Sequence, residues 1–496
     1  TPKRLPHAHD RCGAATIAAM TTPDLRSLFD AQYQASRAAL DVPLAVRRDR
    51  LQRIGTLLDD HGPALADAVQ ADFGIRSAKL TEVADIFVLR TLLSHTLGHL
   101  ARWMKPQKVH TPIYLQPSRG EIQRQPLGVV GVISPWNYPV QLALGPVITA
   151  LAAGNRVMLK PSELTPQTSA LMAELVARLF APDELCVVTG DAAMASDFAA
   201  LPFDHLLFTG STNVGRKVAQ AAAANLTPTT LELGGKSPCI VDAQCDLEDA
   251  ALKIAHGKLL NAGQTCIAPD YVLLPRGQEA AFAAAYTRAV ARLFPQIAGN
   301  ADYAAIISPR HYARLLELVA DASAQGAQVQ WIEPGAATSA STDGSTTGPH
   351  RQLLPALVFG TTDTMPLMQE EIFGPLLPVL PYDRLDDAIG YINARPRPLA
   401  LYWFGSNTGA RDQVLHRTVS GGVTVNDTLM HIAHENLPFG GVGDSGWGAY
   451  HGETGFLRFT QQKPVLFQSR WAAGYLFYPP YGKRLDQVMG ILRRFL

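Results

Sequence analysis

The sequence predicts an α/β protein built on mostly parallel sheets. Two observations carry that prediction. Short runs rich in Val, Ile and Leu alternate with longer segments of helical periodicity, and strands that alternate with helices return by right-handed crossovers into a parallel sheet. In addition, several of the apolar runs end in turns dense in Gly, Pro, Ser or Asn. In chain order, residues 25–100 are amphipathic and read as several helices, with breaks at Asp41-Val-Pro and His61-Gly-Pro. Alternating stretches near Tyr114-Leu115 and over 120–125 read as a hairpin. The α/β rhythm then begins: strand 129–133, helix 141–153, strand 156–159, helix 168–180, and strands 185–188 and 205–208. A second α/β stretch runs from Gly234-Gly235 to about Gly440, with strands at 271–274 and 377–380. Residues 333–350, rich in Gly, Ser, Thr and Ala, read as a mobile surface loop. No internal repeat is present.

Composition narrows the function. The chain has 496 residues, 47% of them hydrophobic and 17% charged, enough for two to four domains at roughly 100–200 residues each. Lys and Arg number 43 against 43 Asp and Glu, so net charge gives no basis for binding nucleic acid or an anionic membrane. Five widely spaced cysteines, with no CxxC, support neither a disulfide framework nor a zinc cluster. Free thiols suit a reducing compartment, and a cytoplasmic location is expected. Residues 1–19 lack the apolar core of a secretory signal. The run Met20-Thr-Thr-Pro-Asp reads as a chain start, so 1–19 is expected to be a disordered leader. No window reaches the ~18 apolar residues of a membrane span. In the tail, Leu485, Val488, Met489, Ile491, Leu492, Phe495 and Leu496 fall at helical spacing beside Arg493 and Arg494. Such a helix packs on the protein or a sister subunit, or rests weakly on a membrane surface.

The chemistry lies in the turns. Gly263-Gln-Thr-Cys266-Ile-Ala-Pro-Asp-Tyr271 places a Cys in a polar turn between a helix and a strand, where its sulfur can be exposed. Taken alone, Cys266 is as compatible with a structural role as with a nucleophile. Cys186 and Cys239 sit in apolar strands and read as inert. Leu231-Glu232-Leu-Gly-Gly-Lys236 puts an acid at the end of an apolar strand, where burial would raise its pKa and make it a general base; a carboxylate tied to a backbone NH is the alternative. Ser134-Pro-Trp136-Asn137-Tyr-Pro139 follows a parallel strand, and the Asn137 amide there could donate to an oxyanion or merely cap its turn. Lys160-Pro-Ser-Glu163 brings a cation and a carboxylate to the same crevice. Phe208-Thr-Gly210-Ser211-Thr-Asn-Val-Gly215 opens a helix whose N-terminus suits a pyrophosphate, although it is neither GxGxxG nor a P-loop. Glu370-Glu371-Ile-Phe373-Gly-Pro375 and Asn436-Leu-Pro-Phe439-Gly-Gly441 complete the set. His431-Ile-Ala-His434-Glu435 matches no zinc-hydrolase pattern, so no metal is expected.

Together these seven segments resemble the aldehyde dehydrogenase superfamily, in order and over nearly the whole chain from about Leu25. FTGSTNVG, LELGGK, GQTC and EEIFGP at this spacing form a specific signature. SPWNYP, KPSE and GQTCIAPDY resemble the class 3 branch, and GVGDSGWGAYHGETGF resembles bacterial coniferyl aldehyde dehydrogenases. The resemblance implies three parts. These are a Rossmann-like NAD(P)-binding domain over 20–115 and 127–233, an α/β catalytic domain over 234–444, and a β oligomerisation element with a tail over 116–126 and 445–496. It makes Cys266 the nucleophile, Glu232 the base and Asn137 the oxyanion donor. Lys160 and Glu163 would meet the adenosine ribose and Trp136 and Ser211 the pyrophosphate, with Gly210, Gly215 and Leu233 also binding the cofactor. Glu371 would hold the nicotinamide ribose beside Phe373. Tyr138, Tyr271 and Phe439, with Trp447, would line the substrate pocket.

The implied reaction oxidises an aldehyde, aromatic and coniferaldehyde-like, to its acid through a thioester on Cys266. NAD is the expected cofactor and NADP is admissible; a homodimer is the expected assembly. Three other readings remain: a dehydrogenase for medium or long fatty aldehydes, a CoA-acylating enzyme, and a non-enzymatic binding protein.

Overall fold

The computed structural model describes residues 24–334 and 350–494. The expected leader, most of the 333–350 loop, and Phe495 and Leu496 of the tail lie outside the described residues. Three sheets organise the rest. The first runs, in spatial order, Gly446–Trp447, Thr229–Glu232, His205–Thr209, Val129–Ile133, Arg156–Lys160 and Leu185–Val187. Its strands are parallel except Gly446–Trp447, an antiparallel edge paired to Glu232 and Leu231. The chain lays down Val129–Ile133 first, moves outward on one side to Leu185–Val187, then returns to the other side with His205–Thr209. The strand order therefore reverses beside Val129–Ile133, and ligands of open parallel sheets bind outside the carboxyl ends at such a reversal. Asn137, Ser211 and Glu232 all lie at or just beyond those ends.

The second sheet has seven strands, ordered Gln328–Trp331, Ala356–Phe359, Leu376–Tyr382, Tyr271–Pro275, Pro238–Val241, Ala400–Phe404 and Gly422–Val425. Only Gln328–Trp331 pairs antiparallel. Near-continuous apolar strands such as Pro238–Val241 and Ala400–Phe404 are fully buried, as expected of strands covered on both faces. The fold is thus α/β, as read from the alternation.

Two local readings are corrected. The helix Leu44–Phe73 runs unbroken through His61-Gly-Pro, with Pro63 inside it. Leu51, Ile54, Leu57 and Leu58 before the proline, and Leu65, Val69 and Phe73 after it, are all fully buried. Burying that continuous stripe outweighs the lost hydrogen bond, a cost of about 3 kcal/mol. The expected hairpin at Tyr114-Leu115 is also absent: Ile113–Leu115 is a single 3-10 turn. Pro112 and Pro117 bracket it, and neither has an N–H to offer a strand ladder. Arg119–Pro126 instead pairs antiparallel with Gln107–Val109 on one side and Thr460–Phe467 on the other. This three-stranded sheet joins 107–109 to 119–126 and leaves Thr460–Phe467 as an edge. The tail forms the helix Lys483–Leu492, none of whose residues is buried. No helix among the described residues is long and apolar enough to cross a membrane.

Candidate active site

A cleft of about 980 Å³ opens at the strand-order reversal, and Trp136, Asn137, Gly210, Ser211, Glu232, Leu233, Cys266, Glu371 and Phe373 all contribute to its wall. Residues from five separate sequence segments are thereby brought together. Lys160, Glu163, Gly215, Tyr138 and Phe439 are not in that wall.

The turn carrying Cys266 is built under strain. After the helix Leu247–Leu259, three successive residues take left-handed backbone angles: Asn261 (φ 52), Ala262 (φ 53) and Gly263 (φ 79). Such angles are costly for Asn and Ala and persist only when the surroundings hold them. Gln264 supplies that hold. Its Nε2 donates to Asn261 O at 2.9 Å and Ala305 O at 3.1 Å, and its Oε1 accepts from Ile307 N at 2.9 Å. Gly263 cannot be replaced without a collision, because a Cβ there would stand 2.3 Å from Gly374 O. The same turn is pinned to Asn137, whose Nδ2 donates to Gln264 O at 3.1 Å and whose carbonyl accepts from Asn261 Nδ2 at 3.0 Å.

The strand-end turn that presents Asn137 rests on a buried ion pair. Arg76 Nη1 donates to Asn137 O, and Arg76 Nη2 donates to Asp85 Oδ2 at 2.8 Å. Asp85 Oδ1 accepts from Gln141 N at 3.0 Å and Val140 N at 3.3 Å at the start of the next helix. Asp85 lies in a π-helical turn, Glu82–Phe87, a form that recurs at functional sites. Sequence reading missed Arg76, Asp85, Asn261 and Gln264, because each is one polar residue in a helical or turn segment with partners far away in sequence.

Electrostatics distinguish the reactive groups. Glu232 ends Thr229–Glu232 with both carboxylate oxygens buried and without a partner. Burial pushes its pKa well above the usual carboxylate range, against a weaker pull from Arg458. The Cys266 thiol is pushed up to about 12 by burial first and then by the charges of Glu371 and Glu232, while the N–H groups of Cys266 and Ile267 favour the thiolate. Glu371 rises to about 8, from burial and then Asp270. Cys239 and Cys186 are buried within strands.

The remaining candidates have defined places. Ser211 caps the helix Thr212–Ala224 by accepting from Val214 N at 3.4 Å. Gly215 leaves room for Leu233: a Cβ there would stand 2.5 Å from the Leu233 side chain. Trp136 packs edge-on to Phe373 at 5.4 Å and to His311 at 5.2 Å. Lys160 Nζ donates to Pro161 O at 3.0 Å and Glu163 Oε2 at 3.2 Å, so the two charges face each other beyond Arg156–Lys160. The Tyr138 hydroxyl lies 2.7 Å from Thr265 Oγ1, next to the nucleophile turn. Tyr271, which touches the cleft, is otherwise buried against Tyr391. Phe439 packs among His451, His431 and Tyr450. Trp447 is on the outer edge strand, where its Nε1 donates to Thr229 Oγ1 at 3.0 Å.

The geometry suits a nicotinamide dinucleotide. The Glu371 Oε1 atom is buried without a hydrogen-bond partner and can accept from a ribose hydroxyl. The helix N-terminus at Ser211 offers backbone N–H groups to an anion. Comparison with known proteins agrees. The aldehyde dehydrogenase family model matches residues 6–465. The chain belongs to the aldehyde dehydrogenase family. It is 47% identical over 469 residues to a coniferyl aldehyde dehydrogenase of Pseudomonas sp. strain HR199, covering 94% of this chain and 96% of that one. The substrate-bound structure of Staphylococcus aureus AldH superposes with a TM-score of 0.86 at 35% identity, covering 94% and 99% of the two chains. An NAD-dependent aldehyde dehydrogenase from Sinorhizobium meliloti superposes with a TM-score of 0.79 at 29% identity, covering 90% and 88%. This family member is an NAD(P)-dependent aldehyde dehydrogenase.

Proposed function

We propose that the protein oxidises an aromatic aldehyde of the coniferaldehyde type to its carboxylic acid, with NAD preferred over NADP and Cys266 as the covalent nucleophile. The observation that carries the mechanism is the meeting, in one cleft, of the Cys266 thiol, the unpartnered Glu232 carboxylate and the Asn137 amide. Glu232 takes the thiol proton as general base; its raised pKa makes it a stronger base than a solvated carboxylate. The sulfur then adds to the aldehyde carbon, and the carbonyl oxygen becomes an oxyanion stabilised by Asn137 Nδ2 and the Cys266 N–H. A nicotinamide ring held beside Glu371 and Phe373 would supply the hydride acceptor, so that the C=O bond re-forms with loss of hydride and leaves a thioester on Cys266. After its proton has passed to solvent, Glu232 deprotonates a water molecule. The resulting hydroxide attacks the thioester, and the acid leaves with release of the Cys266 thiolate.

In the same reading, Gly210, Ser211, Leu233 and Trp136 hold the cofactor pyrophosphate, with Gly215 shaping that wall. Glu371 and Phe373 hold the nicotinamide ribose and ring, and Lys160 and Glu163 meet the adenosine ribose. The preference for NAD rests on Glu163, whose carboxylate would repel a 2′-phosphate. Hydrolysis rather than transfer to CoA is supported by Glu232, a base that would otherwise waste the thioester. The aromatic preference rests on the likeness to the Pseudomonas coniferyl aldehyde dehydrogenase and on Tyr138 beside the nucleophile turn. NADH formation followed by absorbance with coniferaldehyde, benzaldehyde, hexanal and decanal, with and without CoA, tests the reading. Faster turnover of the two aromatic aldehydes, independent of CoA, is expected. Preference for decanal would replace it with the fatty-aldehyde reading, and an absolute need for CoA would replace hydrolysis.

We also propose that the protein is a homodimer. Thr460–Phe467 is an eight-residue edge strand with unpaired backbone groups, and Leu466 within it and Trp471, Tyr478, Tyr481 and Ile491 after it in the chain are more than half exposed. Long exposed edges and clustered exposed apolar side chains are features of interfaces. Light scattering should give twice the 53.5 kDa chain mass; a monomer at micromolar concentration would contradict the assignment.

A further inference from the structure

We propose that the buried Lys236–Asp270 ion pair, together with Arg314, positions Glu371 and Phe373 for the nicotinamide end of the cofactor, separately from the machinery that activates Cys266. The inference rests on the cofactor roles proposed above for Glu371 and Phe373. Lys236 lies four residues after the base Glu232, and Asp270 four after the nucleophile Cys266. Their side chains form an ion pair, with Asp270 buried and Lys236 nearly so. Each spends its remaining hydrogen-bonding capacity on one loop. Lys236 Nζ donates to Leu367 O at 2.8 Å and Glu370 O at 2.9 Å. Asp270 Oδ2 accepts from Ile372 N at 3.0 Å. From the helix Pro309–Ala324, Arg314 donates to Glu371 O at 2.7 Å, Ile372 O at 3.0 Å and Glu370 Oε2 at 3.2 Å.

Three charged side chains therefore hold the backbone groups on both sides of Glu371. The loop needs them, because Phe373 takes φ 53, a left-handed angle disfavoured for an aromatic residue. Gly234 closes the other side, since a Cβ there would stand 1.9 Å from Glu371 Oε2. Burial does most to raise the Glu371 pKa; of the three groups, Asp270 adds to the rise, whereas Lys236 and Arg314 oppose it. The hydrogen bonds of the Cys266 turn come from a different set of side chains, Gln264, Asn261 and Asn137, although the two systems touch where Gly263 packs against Gly374. That separation lets the two systems be uncoupled experimentally.

Hydrolysis of p-nitrophenyl acetate reports on Cys266 and Glu232 without cofactor, and fluorescence quenching by NADH reports on cofactor binding without turnover. Arg314→Gln should raise both the KM for NAD and the Kd for NADH by about tenfold, as expected for the loss of charge-assisted hydrogen bonds. Ester hydrolysis should stay within about twofold, and Arg314→Lys should recover part of the affinity. Asp270→Asn should show the same split with a larger loss. An NADH Kd unchanged in both Arg314→Gln and Asp270→Asn overturns the proposal, as does ester hydrolysis falling in parallel with NADH affinity. The Cys266 mechanism is judged separately, by the Cys266→Ala variant.

Discussion

Cys266→Ala should abolish aldehyde oxidation, with kcat falling by at least about 10⁴-fold, the scale seen when a covalent nucleophile is removed. The expectation follows from position. Among the cysteines of the described residues, Cys266 is the one that lines the cleft, while Cys186 and Cys239 are buried in strands. The substitution removes a sulfur and adds no volume, so the variant should fold and should bind NADH with unchanged Kd. Steady-state NADH formation is the measurement, and near-normal turnover would remove the covalent mechanism.

Glu232→Gln should separate the two halves of the reaction. Glutamine keeps the shape but cannot take a proton, so water is no longer activated and turnover should fall by roughly 10²–10⁴-fold. At high pH, where the thiol loses its proton to solvent, one equivalent of NADH per site should form as a burst before the stall. The pH dependence follows from the sign of the shift. Glu232 must be ionised to act, and its pKa lies well above the ordinary value of 4.5. Deacylation in the wild type should therefore keep rising as pH increases beyond the range where an unperturbed glutamate has fully ionised. The Glu232→Gln variant should lose that limb. A rising limb that survives unchanged in the Glu232→Gln variant would mean that Glu232 is not the base.

How much of this was legible in the sequence depends on the range of the interactions. The alternation of apolar runs with helical segments was enough for the α/β class, and the turns at Asn137, Ser211, Glu232 and Cys266 stood out because Gly, Pro and Ser mark strand ends locally. Their meeting in one cleft was not a local property; it came from the strand-order reversal beside Val129–Ile133. The supports were least legible. Arg76 reaches Asp85 and Asn137, Gln264 reaches Ala305, and Arg314 reaches Ile372. A lone Arg or Gln in a helical or turn segment carries no mark of such a partner. The break expected at Pro63 failed for a related reason: a local breaker was outweighed by burial of a stripe that only the folded neighbours define. Likewise, the strand partner of Arg119–Pro126 lies more than 300 residues away, at Thr460–Phe467.

The most direct test of the central claim is mass spectrometry on the Glu232→Gln variant, quenched after mixing with coniferaldehyde and NAD at high pH, where the thiol loses its proton to solvent. Proteolysis should yield the peptide containing Cys266 carrying the added mass of the acyl group, in proportion to the NADH formed. NADH formation with Cys266 unmodified, or with the acyl group on another residue, would contradict the account.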